Sequence, residues 1–167
     1  MSSVSSAPAP IERSTPLRGA AAALVPLLLS AACGPSRARM LEGEIAQAVQ
    51  TSPGHIDLVA LFPARWDRVC VLTPGASRAQ VDRVLGFRYP AGPYLVSRTD
   101  VAGLVFVRGD EVVVAMRYPR EDGDFTALGP SYCLPRADAV FHSQPAPGAG
   151  DGRLLLPVNP PAAGTRP

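Results

Sequence analysis

The sequence predicts a small α+β domain, with an antiparallel sheet of about four strands and one or two helices. Three stretches carry this prediction: residues 66–73 alternate like a strand, residues 77–86 carry helix caps, and residues 103–118 form two apolar runs around a turn. The chain has 167 residues and no internal repeat, so the sequence predicts a single domain.

A short apolar run near the start of the chain has the features of a secretory signal peptide. Arg13 and Arg18 precede the run, residues 19–29 form it, and small residues then lead to Cys33. A bilayer-spanning helix needs about 20 apolar residues. The shorter run therefore favours a cleaved leader over a retained transmembrane helix.

The sequence Ser30-Ala31-Ala32-Cys33 resembles the lipobox of bacterial lipoproteins, although serine stands where leucine is usual. The resemblance implies that residues 1–32 are removed and that Cys33 carries fatty acyl chains, which anchor the protein in the lipid bilayer. In that family an aspartate after the cysteine retains the protein at the inner membrane. Gly34 stands here and implies the outer membrane, with the domain facing the periplasm. An ordinary signal peptide with an incidental cysteine is the alternative.

Composition and spacing argue against several classes of function. The formal net charge is only +2 at pH 7, so no basic surplus indicates a nucleic-acid partner. All 16 basic residues are arginine, which excludes a Schiff-base lysine and a phosphate-binding P-loop lysine. No metal-binding spacing stands out, and we expect neither a metal nor another cofactor.

Cys70 and Cys133 remain once Cys33 is assigned to lipid. Two cysteines in an oxidising periplasm predict one disulfide. Two unpaired buried thiols are the alternative, because the sequence does not show how close their Cα atoms lie.

The segment 33–54 connects the predicted anchor to the domain. Leu41, Ile45 and Val49 recur at helical spacing, and Ser36 is a suitable N-cap. The segment is therefore predicted to be an amphipathic helix, with a flexible tether as the alternative.

Trp66 opens the first well-defined strand. Strand alternation places it on one face with Cys70 and places Val69 and Val71 on the other face. As the only tryptophan, it is predicted to be a large core residue or, alternatively, an anchor that contacts a partner protein. Before it, residues 55–62 fit a short strand or a helical turn equally well.

The clearest helix starts after Ser77. Gln80 completes a capping box with Ser77, and Gly86 suits the left-handed position after the helix. The segment from Gly75 to Gly86 resembles the helix segment of the small protein A family of outer-membrane lipoproteins, a small α/β fold that helps to assemble outer-membrane proteins. No functional residue is carried over from that family.

The dipeptide Gly109-Asp110 predicts a type II′ turn between two apolar strands. Both faces of the resulting hairpin are apolar, so it should be covered on each side. With that turn, the cross-strand pairs include Phe106 with Val113 and Val105 with Val114. A short edge strand is predicted earlier, at residues 95–97.

The composition changes near the C-terminal end. Seven of the eight residues from 145 to 152 are Pro, Gly or Ala, which is typical of a linker, although residues 154–156 could add a last strand. The predicted organisation is a leader at 1–32, the lipidated cysteine with a tether or helix at 33–54, the α+β domain at 55–143, and a tail at 144–167.

Three further motifs have simple structural explanations, and a cysteine–histidine pair has no support. The Arg-Gly-Asp at 108–110 fits the hairpin turn, and the acidic segment 121–124 fits a solvated turn better than a calcium site. Ser77 is a helix cap rather than a nucleophile. Nothing in the sequence brings a cysteine close to His55 or His142.

The sequence therefore predicts a small, non-enzymatic envelope lipoprotein. It would be an accessory or scaffold subunit that docks on another envelope protein, or a structural component. The alternative is a small periplasmic ligand-binding module or a thiol-dependent enzyme domain. That alternative needs a pocket with convergent polar groups, for example Cys133 near a histidine.

Overall fold

The computed structural model describes residues 36–147 and 151–161. The leader and the predicted lipidation residue Cys33 lie outside these ranges. The described residues form a small single-domain α+β fold with two antiparallel sheets, so the predicted fold class is confirmed. The helices are α1 (Arg37–Thr51), α2 (Leu58–Leu61), α3 (Arg78–Leu85) and α4 (Gly92–Leu95). The strands are β1 (Ile56–Asp57), β2 (Arg68–Leu72), β3 (Val101–Arg108), β4 (Glu111–Pro119), β5 (Tyr132–Pro135), β6 (Val140–Pro145) and β7 (Arg153–Pro157).

The larger sheet has the strand order β4-β3-β2-β5 and separates two apolar clusters. One cluster joins the sheet to α1 and to the smaller sheet, whose order is β1-β6-β7. The other joins the opposite face to α3 and α4. Strands β2 and β3 are consequently buried on both faces, which explains why they have continuous apolar runs rather than simple alternation.

Helix α1 is part of the domain rather than a flexible tether. Leu41, Ile45 and Val49 are buried in the cluster shared by the two sheets. The Ser36 hydroxyl accepts a hydrogen bond from the backbone N–H of Arg39, which caps the helix as the sequence predicts. The folded domain therefore begins well before residue 55, where composition placed its boundary.

The hairpin of β3 and β4 forms around Gly109, whose φ of +55° suits the predicted turn, but its register is shifted. Phe106 pairs with Val114 instead of Val113, because a bulge lies between Phe106 and Val107. The extra residue on β4 moves Val114 onto the face of Phe106. Since both faces of this hairpin are apolar, the hydrophobic pattern does not oppose the shift.

Strand β7 confirms the alternative of a last strand at residues 154–156 and shortens the predicted tail at 144–167. It pairs with β6 along its whole length, and Leu155 is completely buried. The Leu155 N–H donates to the carbonyl of Asp124 at 2.9 Å. Gly123 permits this approach, because its φ is +146° and a Cβ atom there would lie 2.7 Å from Leu155 Cδ1.

Two shorter segments differ from the secondary structure predicted for them. The predicted edge strand at 95–97 is wrong, since the chain there ends helix α4, which begins beside Pro93. A Cβ atom on Gly92 would lie 2.5 Å from Val81 Cγ1, so the glycine allows α4 to pack against α3. Segment 55–62 contains both predicted alternatives in succession, β1 and then α2, because the Asp57 carboxylate caps the helix.

Candidate functional site

Cys70 and Cys133 form a disulfide, as predicted. They face each other on neighbouring strands β2 and β5, with their Cα atoms 4.0 Å apart. Cys70 is completely buried, and Cys133 packs against the same apolar cluster. The alternative of two unpaired thiols is therefore wrong.

The disulfide also bears on the thiol–imidazole pair considered from the sequence. Both cysteines lie in the larger sheet, whereas His142 is on β6 and His55 immediately precedes β1 in the smaller sheet. Neither sulfur is a free thiolate. The structure thus does not assemble the cysteine–histidine pair.

Trp66 is a core residue and not a surface anchor. Its side chain is only 2% exposed, which leaves no area for a partner and corrects the partner-contact interpretation. The indole N–H donates to the carbonyl of Phe62 at 2.9 Å, and the ring packs edge-on against Phe106. The guanidinium of Arg136 lies 4.6 Å from the ring centroid on its face.

The predicted strand alternation fails at Trp66. The indole belongs to the cluster of Val69 and Val71 instead of that of Cys70. Strand β2 starts only at Arg68, so the period-two rule does not reach back to Trp66.

The side chains of the remaining motifs make structural contacts. Arg108 pairs with Glu111 across the hairpin turn at 2.5 Å. The Ser77 hydroxyl accepts from the N–H of Gln80, and the Ser77 N–H donates to the side-chain oxygen of Gln80, so the predicted capping box is confirmed. Within residues 36–147 and 151–161, no three His, Cys, Asp or Glu side chains are grouped so as to hold a metal ion.

In the acidic segment 121–124, one carboxylate is engaged in a polar network. Asp124 accepts from the guanidinium of Arg120 at 2.6 Å and from both the N–H and the hydroxyl of Thr126, at 2.8 and 2.6 Å. Burial alone would raise the pKa of Asp124, but these hydrogen bonds outweigh it and lower the pKa below its ordinary value. The same pairing raises the pKa of Arg120.

This network predicts a loss of stability in acid. A carboxyl group with a lowered folded-state pKa stabilises the fold above its unfolded-state pKa, near 4, and that contribution disappears as the pH falls through the folded-state value. We expect Asp124→Asn to lower the free energy of unfolding by about 1–3 kcal/mol at pH 7, and by less near pH 3. Urea denaturation at both pH values measures the difference.

Asp122→Asn is the matched control, since that carboxylate makes no hydrogen bond to another described residue. It should change the stability little at either pH. An equal loss for Asp124→Asn at pH 7 and pH 3 would contradict the ionised role of Asp124.

A groove with a volume of about 700 Å³ lies between α1, α4 and β4. Its lining comes from three distant segments, residues 36–42, 94–101 and 115–121. Sequence reasoning missed it because no single segment contains the site. The nearest signal was Arg39, shortly after the predicted anchor.

The groove carries charges of both signs. Arg98 and Asp100 neutralise each other, and Arg120 is held by Asp124. Arg117 donates to the hydroxyl of Tyr94 at 2.7 Å, and its guanidinium lies 4.2 Å from the centroid of that ring. The remaining charged side chains of the groove make no hydrogen bond or ion pair to another described residue. They are Arg39, Glu42 and Glu121.

None of the helices in the described ranges has both the length and the apolar character needed to cross a bilayer. Comparisons with protein-family models, with curated proteins and with solved structures found no match for the chain. The lipobox at Cys33 and the resemblance of residues 75–86 to the small protein A family therefore stay predictions.

Proposed function

We propose that this protein is a lipid-anchored protein of the bacterial cell envelope with a non-enzymatic accessory or structural role. The lipobox-like sequence ending at Cys33 carries the proposal. The Cys70–Cys133 disulfide supports it, because disulfides form and persist in oxidising compartments such as the periplasm.

The position of α1 limits the distance between Cys33 and the folded domain. Only residues 34 and 35 separate Cys33 from Ser36, the N-cap of a helix whose apolar face is part of the core. Three extended peptide units span at most about 11 Å. A lipid on Cys33 would therefore hold the domain at the bilayer surface instead of at the end of a long tether.

Mass spectrometry of the mature, unreduced protein tests the anchor. We expect an N-terminus at Cys33 with diacylglycerol and acyl masses added, and a Cys70–Cys133 pair two hydrogens lighter than two thiols. Cys33→Ala should abolish the acyl mass, whereas Ser36→Ala, three residues further on, should keep it. An unmodified N-terminus at another residue would overturn the proposal.

The accessory role requires a partner in the envelope. Mild crosslinking followed by purification from detergent-solubilised envelopes should recover another envelope protein in a fixed ratio. Cys33→Ala should reduce that recovery, because it removes the domain from the membrane. Recovery of the chain alone under crosslinking, with Cys33 acylated, would count against docking while leaving the anchor intact.

A further inference from the structure

We propose that the groove between α1, α4 and β4 faces the bilayer and holds the headgroup of a zwitterionic phospholipid of the ethanolamine type. This inference rests on the proposed function, because the anchor on Cys33 is what brings the groove to the membrane.

The first argument is reach. Ser36 itself lines the groove, and Ala38 and Arg39 follow it along the same wall. The headgroup layer on each side of a bilayer is about 5–8 Å thick. A link of three residues, at most about 11 Å long, therefore keeps this wall within or next to the headgroups whenever Cys33 is inserted.

The second argument is charge complementarity. Arg39 and Arg117 offer guanidinium groups for a phosphate, whereas Glu42 and Glu121 offer carboxylates for an ammonium group. Arg39 and Glu42 are three residues apart on α1, so their Cβ atoms lie about 5–6 Å apart on one helix face. In the proposed headgroup, only a two-carbon bridge separates the phosphate oxygen from the ammonium nitrogen. A purely anionic headgroup would leave both glutamates without partners.

The third argument is the exposed apolar surface beside these charges. Tyr94 is 61% exposed and lines the groove. Tyrosine is enriched where membrane proteins meet the headgroup layer, because its ring is apolar and its hydroxyl is polar. The groove thus combines polar groups for a headgroup with a side chain suited to the interface.

Native mass spectrometry of the mature protein, released from vesicles of equal phosphatidylethanolamine and phosphatidylglycerol, tests the inference. Wild type should retain phosphatidylethanolamine in preference to phosphatidylglycerol. Arg39→Gln and Glu42→Gln should each lower that retention by about two- to fivefold, since each removes one charge-assisted contact at a partly exposed site. The controls Arg78→Gln, on α3, and Glu44→Gln, on α1 outside this groove, should leave it unchanged.

The direction in which Glu42→Gln changes lipid retention distinguishes a zwitterionic headgroup from an anionic one. If Glu42→Gln raises lipid retention, or if phosphatidylglycerol is preferred, the groove attracts negative charge in general and the inference is overturned. Unfolding midpoints of the variants equal to that of the wild-type protein would show that the substitutions leave the fold unaffected. The same spectra report the acyl mass on Cys33: acylated protein without retained phosphatidylethanolamine overturns this inference alone, and an absent acyl mass overturns the proposed function as well.

Discussion

Reduction of the Cys70–Cys133 disulfide is expected to lower the free energy of unfolding by about 4 kcal/mol. The two cysteines are 63 residues apart, so the bridge closes a long loop in the unfolded chain and removes much of its conformational freedom. Urea denaturation of the detergent-solubilised protein, with and without a reductant, measures the loss.

A double variant distinguishes the contribution of the crosslink to stability from the contribution of the packed sulfur atoms. Cys70→Ala/Cys133→Ala removes both, and it should be less stable than the reduced wild type because Cys70 is completely buried and its truncation leaves a cavity. The reductant should have no effect on this variant. A reduced wild type within about 1 kcal/mol of the oxidised protein would show that the bridge contributes little.

Removal of strand β7 should have the second large effect. A chain ending at residue 147 loses the partner of β6 and leaves a sheet of β6 and the two-residue β1, which is too small to be stable alone. Because Leu155 fills the core between the sheets, Leu155→Ala in the whole chain should lower the free energy of unfolding by about 2–5 kcal/mol.

Leu156→Ala is the matched control for that substitution. Leu156 is the next residue on the same strand and is only half-buried, so its truncation should cost about 1 kcal/mol. Denaturation midpoints of the two variants give the comparison. Equal, small losses for both would show that β7 is the dispensable tail that its composition suggested.

The elements predicted correctly depend on interactions between near neighbours in the chain. Ser77, Gln80 and Gly86 determine the limits of α3 through hydrogen bonds and a left-handed residue within one helix. Gly109 likewise determines the hairpin turn, since its φ of +55° favours glycine. Such local chemistry can be read from a sequence without knowledge of the partners.

The errors have a common physical origin in contacts made by distant residues. The bulge after Phe106 depends on how other elements pack on the two faces of the hairpin. Because both faces are apolar, the hydrophobic pattern does not indicate which register the strands adopt. Likewise, β7 follows a Pro- and Gly-rich segment typical of a linker. Only pairing with β6 and burial of Leu155 make it part of the sheet.

The sequence by itself determined the α+β class, the caps of α3, the hairpin turn and the two cysteines available for pairing, because composition, periodicity and capping act over a few residues. Tertiary structure alone decided that Trp66 is buried, that Cys70 and Cys133 meet on neighbouring strands, and that α1, α4 and β4 enclose a groove. These features bring together segments that lie tens of residues apart. Their positions depend on how the sheets and helices pack, which no short stretch of sequence encodes.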